Sequence, residues 1–244
     1  VVLQDIRSST VLPAVRENIE LHTDDGLTLV GELAMPVGGS PAATLVTLHP
    51  LPTGGGFMDS HILRKAAWRL PELANIAVLR FNTRGTSSPR GTSEGQFDRG
   101  VAEQHDVAAA MRFVAERQLP NPWLVGWSFG TELALKYGLE HPITGAILLS
   151  PPLHRTSETE LLRWKDATPQ LIVLVPELDD YLQPAEAREK FGQLPNAVQI
   201  DVEGGKHLWV GEVQSRRVLN EIVAAVNPQA APLPTQVDES LILS

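Results

Sequence analysis

The chain contains no cysteine. That excludes disulfides, thiolate nucleophiles and cysteine-ligated metal centres together. No apolar run is long enough to cross a membrane as a helix, and no basic stretch followed by an apolar one opens the chain. With neither a span nor a leader to read, the expected location is the cytoplasm. A surplus of positive charge is also missing. Twenty Lys and Arg against 29 Asp and Glu leave a formal net charge of −9. Such a surface repels phosphates, so no nucleic-acid partner is expected. No internal repeat and no second core pattern divide the 244 residues. This length suits one α/β domain with a large core.

What is present is an alternation of strand-like and helix-like runs. Asn18–His22 and Leu27–Leu33 alternate polar and apolar residues around the turn signal Asp24-Asp25-Gly26, which predicts an antiparallel hairpin at a sheet edge. Ala43–Leu48, Ile76–Phe81, Trp123–Val125, Ala146–Leu149, Leu171–Val175 and Ala197–Val202 read as further strands, most of them nearly continuous in apolar residues. Helical runs are expected from His61 to Leu70, ending at Pro71, and over about Val101–Gln118, Thr131–Tyr137, Glu158–Trp164, Ala185–Phe191 and Val210–Val226. Repeated strand-then-helix units predict a three-layer α/β/α sandwich, doubly wound around a mostly parallel sheet. One domain spans residues 1–226. Residues 227–244, with Pro228, Pro232 and Pro234 and then Leu241-Ile242-Leu243, read as an extended arm. Its apolar end is expected to pack on this domain or on a second copy of the chain.

Chemistry concentrates at Gly126-Trp127-Ser128-Phe129-Gly130. An apolar strand precedes it and a helix follows. Strand, Gly-x-Ser-x-Gly, helix is the context of a nucleophile elbow, in which a sharp turn lifts the serine hydroxyl clear of the sheet. Glycines two before and two after relieve crowding at that turn.

A serine needs a base, and the base needs a carboxylate to hold its tautomer. In open α/β sheets both belong just beyond the carboxyl ends of strands. Glu177, Asp179 and Asp180 cluster beyond the strand ending at Val175, and His207 follows the strand ending at Val202. The order serine, acid, histidine suits the elbow. His154, also at a strand end, is the weaker candidate base, since it precedes the acidic loop. His49 precedes the serine, and His22, His61, His105 and His141 read as surface or packing residues. The oxyanion needs two backbone donors. The N–H of Phe129 is one. The other comes from His49-Pro50-Leu51-Pro52-Thr53-Gly54-Gly55-Gly56, where Pro50 and Pro52 have no N–H and Leu51 is the candidate.

Over residues 17–226 the chain resembles the α/β-hydrolase superfamily, and within it the small bacterial α/β-superfamily hydrolases. The marks are Leu48-His49-Pro50-Leu51-Pro52, Leu79-Arg80-Phe81-Asn82-Thr83-Arg84-Gly85, Ser93-Glu94-Gly95-Gln96-Phe97-Asp98-Arg99-Gly100 and the elbow. The resemblance implies a core sheet of eight strands and a Ser-Asp-His triad hydrolysing esters, thioesters or amides through an acyl-enzyme. One departure matters. The acidic loop of such proteins reads Gly-Glu-x-Asp, then a few residues and Pro, but here Pro176 stands near the glycine position. Counting forward from the strand selects Asp179, and counting back four residues from Pro184 selects Asp180. The spacing to Pro184 favours Asp180. The expected catalytic set is therefore Ser128, Asp180 and His207, with Leu51 and Phe129 as oxyanion donors and no metal or cofactor.

About twenty residues separate Leu149 from Leu171, room for a short helix and no large lid. A small acyl substrate in an open site is expected, with Trp127, Phe57, Trp164, Tyr181 and Trp209 as candidate walls. Arg84 and Asp98 are expected to organise loops. An acyltransferase would use the same triad, and a non-catalytic binding protein the same scaffold.

Overall fold

A computed structural model describes residues 2–243 of the chain. In chain order it begins with β1 (Leu3–Asp5), β2 (Val15–His22), β3 (Thr28–Met35), β4 (Ala43–Leu48), α1 (His61–Ala74) and β5 (Ile76–Phe81). A two-residue hairpin follows, β6 (Ser87–Ser88) and β7 (Gly91–Thr92), then α2 (Gln104–Glu116), β8 (Pro122–Trp127), α3 (Phe129–Tyr137) and β9 (Gly145–Leu149). The remainder is α4 (Glu158–Leu162), β10 (Gln170–Pro176), α5 (Pro184–Phe191), β11 (Ala197–Val202), α6 (Glu212–Val226) and β12 (Gln236–Asp238).

Eight strands form one sheet in the order β11-β10-β9-β8-β4-β5-β3-β2. The ladders from β11 to β5 are parallel, while β3 runs antiparallel to both β5 and β2. Helices cover both faces. Ile62, Leu63 and Leu70 of α1 and Val218, Leu219 and Ile222 of α6 pack on one side with Leu45, Ile172 and Leu174. Val107, Met111 and Val114 of α2 and Leu133 of α3 pack on the other with Val46, Leu48, Val173 and Val175. Successive strand residues thus feed opposite cores. That is why Ala43–Leu48 is buried at all six positions and reads as one apolar run.

Two boundaries differ from expectation for identifiable reasons. Helix α1 does not stop before Pro71 but carries it inside and ends at Ala74, where Asn75 takes a left-handed conformation (φ 51°). A proline at 71 leaves the carbonyl of Ala67, four residues earlier, without its helical donor. The Arg16 guanidinium supplies one at 3.3 Å, and the Leu12 N–H takes the next carbonyl, Trp68, at 2.9 Å. Helix α2 starts later than expected. The Glu103 carboxylate accepts the N–H groups of Asp98 and Gly100 at 2.8 Å each and folds the preceding residues into a turn.

The arm closes on its own chain. β12 pairs antiparallel with β1, and Val237, Leu241 and Ile242 pack with Ile6, Leu12 and Leu73. Val237, Leu241 and Ile242 are thereby engaged within one molecule, while Leu243 stays exposed. Among the described residues no helix is long and apolar enough to cross a membrane.

Candidate active site

β8 lies at the centre of the sheet, and its C-terminal end turns directly into α3 through Ser128. The Ser128 N–H donates to the Leu149 carbonyl at 2.9 Å, extending the β8–β9 ladder by one bond. Its backbone then breaks away at φ 52°, ψ −115°. Such a conformation in a non-glycine residue costs about 1–3 kcal/mol and persists only where the surroundings enforce it. The flanking glycines show what enforces it. A Cβ on Gly126 would lie 2.4 Å from the Gly130 carbonyl oxygen, and one on Gly130 would lie 1.9 Å from the Leu48 carbonyl oxygen. The elbow is a close backbone crossing that no side chain can enter.

His207 stands beyond β11 with its Nε2 2.8 Å from the Ser128 Oγ. Its Nδ1 faces both carboxylate oxygens of Asp179, at 2.9 and 3.2 Å. A carboxylate only accepts, so Nδ1 carries the proton and Nε2 presents a lone pair to the serine. Asp179 and His207 are both buried. The Asp179 Oδ1 also accepts the Tyr181 N–H at 2.8 Å. This turn folds the Asp179 side chain inward.

The expected acid, Asp180, is therefore corrected. It sits in the same loop with its side chain in solvent, and Asp179 is the carboxylate joined to the histidine. The turn closed by Asp179 places one more residue between acid and Pro184 than the counted spacing allowed.

The acid and base loops are tied to each other and to the sheet. The Leu178 N–H donates to the Gly205 carbonyl at 2.9 Å, and the Gly204 N–H to the Glu177 carboxylate at 2.7 Å. The His207 carbonyl accepts both the Trp127 indole N–H and the Ser150 hydroxyl, each at 3.1 Å. His61 Nε2–H donates to the next carbonyl, Leu208, at 2.7 Å. Burial holds the His61 pKa below its ordinary value, which favours this neutral donor. Sequence reasoning missed Ser150 and His61 as supports for the base. Ser150's place at the end of β9 was the available signal.

Around Ser128 and His207 lies an open cleft of about 210 Å³, walled by Leu51, Phe129, Pro152, His154, Tyr181 and Leu208 among others. Phe129 is the first residue of α3, so its N–H has no helical partner. Leu51 belongs to the loop after β4, and its own carbonyl accepts the Gly54 and Gly56 N–H groups at 3.0 and 2.9 Å. The Tyr181 ring meets His207 edge to face with centroids 4.6 Å apart, and His154 flanks Tyr181 in turn at 5.3 Å. His154 thus reaches the cleft but makes no hydrogen bond to the serine.

Of the five aromatic residues expected as walls, Tyr181 alone lines this cleft. Trp127, Trp164 and Trp209 are core residues, and Phe57 lines a neighbouring depression. Arg84 grips Asp106 through Nε and Nη2 at 3.0 and 2.8 Å and Asp25 through Nη1 at 2.8 Å. Asp98 accepts the Ala102 N–H at 3.0 Å. Both organise loops. A wider depression of about 530 Å³ at the β2 edge shares no lining residue with the cleft. Among the described residues no group of three or more His, Asp or Glu side chains is placed to hold a metal ion.

The fold has counterparts among solved structures. A lidless α/β serine hydrolase of Xanthomonas campestris, XC6422, superposes with a TM-score of 0.72 at 26% identity, over 92% of this chain and 99% of that one. An α/β serine hydrolase homologue from Coxiella burnetii superposes with a TM-score of 0.72 at 22% identity, over 86% and 96% of the two chains. In sequence, the uncharacterized protein RP471 of Rickettsia prowazekii is 32% identical over 181 residues, 70% of this chain and 74% of the relative. No family model matches. The chain belongs to the α/β-hydrolase superfamily by its fold, and to one family with the Rickettsia protein by its sequence.

Proposed function

We propose that the protein is a serine hydrolase that cleaves a carboxylic ester of a small acyl group, or its thioester or amide counterpart, through an acyl-enzyme. The observation that carries this reading is the continuous hydrogen-bonded line from Ser128 through His207 to Asp179 at the floor of an open cleft. His207 takes the Ser128 proton as the oxygen attacks the carbonyl carbon, and Asp179 stabilises the imidazolium that forms. The oxyanion that develops is held by the N–H groups of Leu51 and Phe129. His207 then returns the proton to the leaving group. Water, deprotonated by the same histidine, releases the acyl group.

The size of the cleft supports a small acyl group. About 210 Å³ lies below the ~300–1,000 Å³ common for sites that enclose a drug-sized ligand. The five-residue α4 is the only helix between β9 and β10 among the described residues, so no large lid covers the site from this segment. A cytoplasmic location accompanies the proposal, and cell fractionation checks it.

The deciding experiment is labelling by a fluorophosphonate together with hydrolysis of p-nitrophenyl acetate, on wild type and Ser128→Ala. Labelling and turnover that both vanish in the variant are the expected result. A wild-type protein that neither labels nor turns over would refute the reading.

A further inference from the structure

One buried titratable group close to the nucleophile takes no part in the mechanism above. His49 follows β4 directly and is wholly enclosed. Its Nε2 lies 3.0 Å from the Thr83 N–H, with the Thr83 hydroxyl 3.1 Å away, and its Nδ1 lies 2.7 Å from the Pro50 carbonyl oxygen. An amide N–H only donates and a carbonyl only accepts. The ring is therefore neutral, with its proton on Nδ1 pointing at Pro50. Burial favours the same state, pushing the imidazole down to about 4.

The Pro50 carbonyl and the Leu51 N–H are two ends of one peptide unit. A trans peptide is planar and its C=O and N–H point to opposite sides, so fixing one fixes the other. The Pro50 carbonyl is held from two directions. His49 bonds it at 2.7 Å, and Gly56 passes so near that a Cβ there would lie 2.2 Å from the same oxygen. Pro50 and Leu51 both border the cleft shared with Ser128 and Phe129, and the Leu51 N–H has no hydrogen-bond partner among the described residues.

We infer that His49 is a positioning residue for catalysis: its neutral imidazole locks the Pro50–Leu51 peptide so that the Leu51 N–H faces the cleft as an oxyanion donor. This rests on the proposed role of Leu51 and extends it to the group that sets its direction. His49 touches no reacting atom. It acts through a peptide plane, as Asp179 acts through His207.

The test compares His49→Phe, which keeps ring bulk and loses both hydrogen bonds, with His49→Gln, whose amide both donates and accepts. Losing one aimed oxyanion donor costs roughly 10²–10³ in kcat. For His49→Phe a kcat loss of that order is expected with KM within about threefold, because the interaction exists only in the transition state. Affinity for a methyl trifluoromethyl ketone should fall in parallel with kcat/KM, since Ser128 adds to its carbonyl and creates an oxyanion in the same place. His49→Gln should recover most of the lost rate. A folded His49→Phe with unchanged kcat would overturn the inference, as would a loss confined to KM. If His49→Phe does not fold, Gly56→Ala carries the test, since its methyl displaces the Pro50 carbonyl. The same kcat-specific loss is expected there, and unchanged kcat is again the contrary result. Ser128-dependent turnover in wild type separates the two proposals. If it is present while His49→Phe is unimpaired, only the positioning role fails.

Discussion

Exchanging one carboxylate oxygen for an amide distinguishes the two neighbouring acids of the β10 loop. In Asp179→Asn the outcome follows from who donates to whom. The Oδ1 position accepts the Tyr181 N–H at 2.8 Å and must stay an oxygen. The amide nitrogen then takes the Oδ2 position, 2.9 Å from His207 Nδ1. An NH₂ group only donates there, so Nδ1 must become the acceptor and the ring proton moves to Nε2. Nε2 lies 2.8 Å from the Ser128 Oγ and now offers a hydrogen where it should accept one. The geometry survives and the base is lost. This wrong-tautomer effect costs roughly 10⁴ in kcat, about 5 kcal/mol of transition-state stabilisation. Asp180→Asn changes an exposed side chain without a hydrogen-bond partner among the described residues, and should alter kcat by no more than about twofold. Initial rates on p-nitrophenyl acetate, with Ser128→Ala as the floor and circular dichroism to confirm folding, measure both. Comparable losses in the two variants, or a larger one in Asp180→Asn, would refute the assignment of the acid.

Packing and burial elsewhere in the chain set two further outcomes. Gly130→Ala drives a methyl to 1.9 Å from the Leu48 carbonyl oxygen, a backbone atom that cannot swing away, so a loss of about 3 kcal/mol or more is expected in urea unfolding; Gly38→Ala, with open space around it, is the control that should leave the midpoint in place. His49 also makes stability pH-dependent. Its folded value of about 4 lies below the ordinary 6.5, so its contribution is present in full above about pH 6.5 and is lost as the pH falls through about 4. Over that window wild type should lose about 3 kcal/mol more than His49→Gln in urea titrations, and equal losses would contradict the buried neutral ring.

The legibility of the chain varied with the range of the forces involved. Ala43–Leu48, Ile76–Phe81 and Ala197–Val202 coincide with their strands end for end, and the first two are buried at every position. Continuous apolar patterning is a local record of burial. Helix α1 crosses Pro71 because Arg16, from a different strand, satisfies the carbonyl that the proline orphans. No window around Pro71 contains that information. β1 and β12 escaped notice for the same reason: each is three residues long, and Leu3 finds its partner at Asp238. In the site, Ser128 and His207 were legible because glycine spacing and chain order constrain them. The choice between Asp179 and Asp180 was not, because adjacent residues in a loop differ in direction rather than in type. Only the turn that Asp179 closes on Tyr181 turns one inward and leaves the other in solvent.

The pairing of Leu3–Asp5 with Gln236–Asp238 brings the first and last strands of the described chain side by side, with facing Cα atoms about 5 Å apart. From β1 to β12 the backbone thus runs as a nearly closed loop. A short glycine linker from Asp238 to Leu3 would join these two strands as a hairpin, and new ends would open at the exposed turn of Gly38 and Gly39 between β3 and β4. That cut crosses no strand of the eight-stranded sheet and leaves the order Ser128, Asp179, His207 intact, so the scaffold is suited to circular permutation.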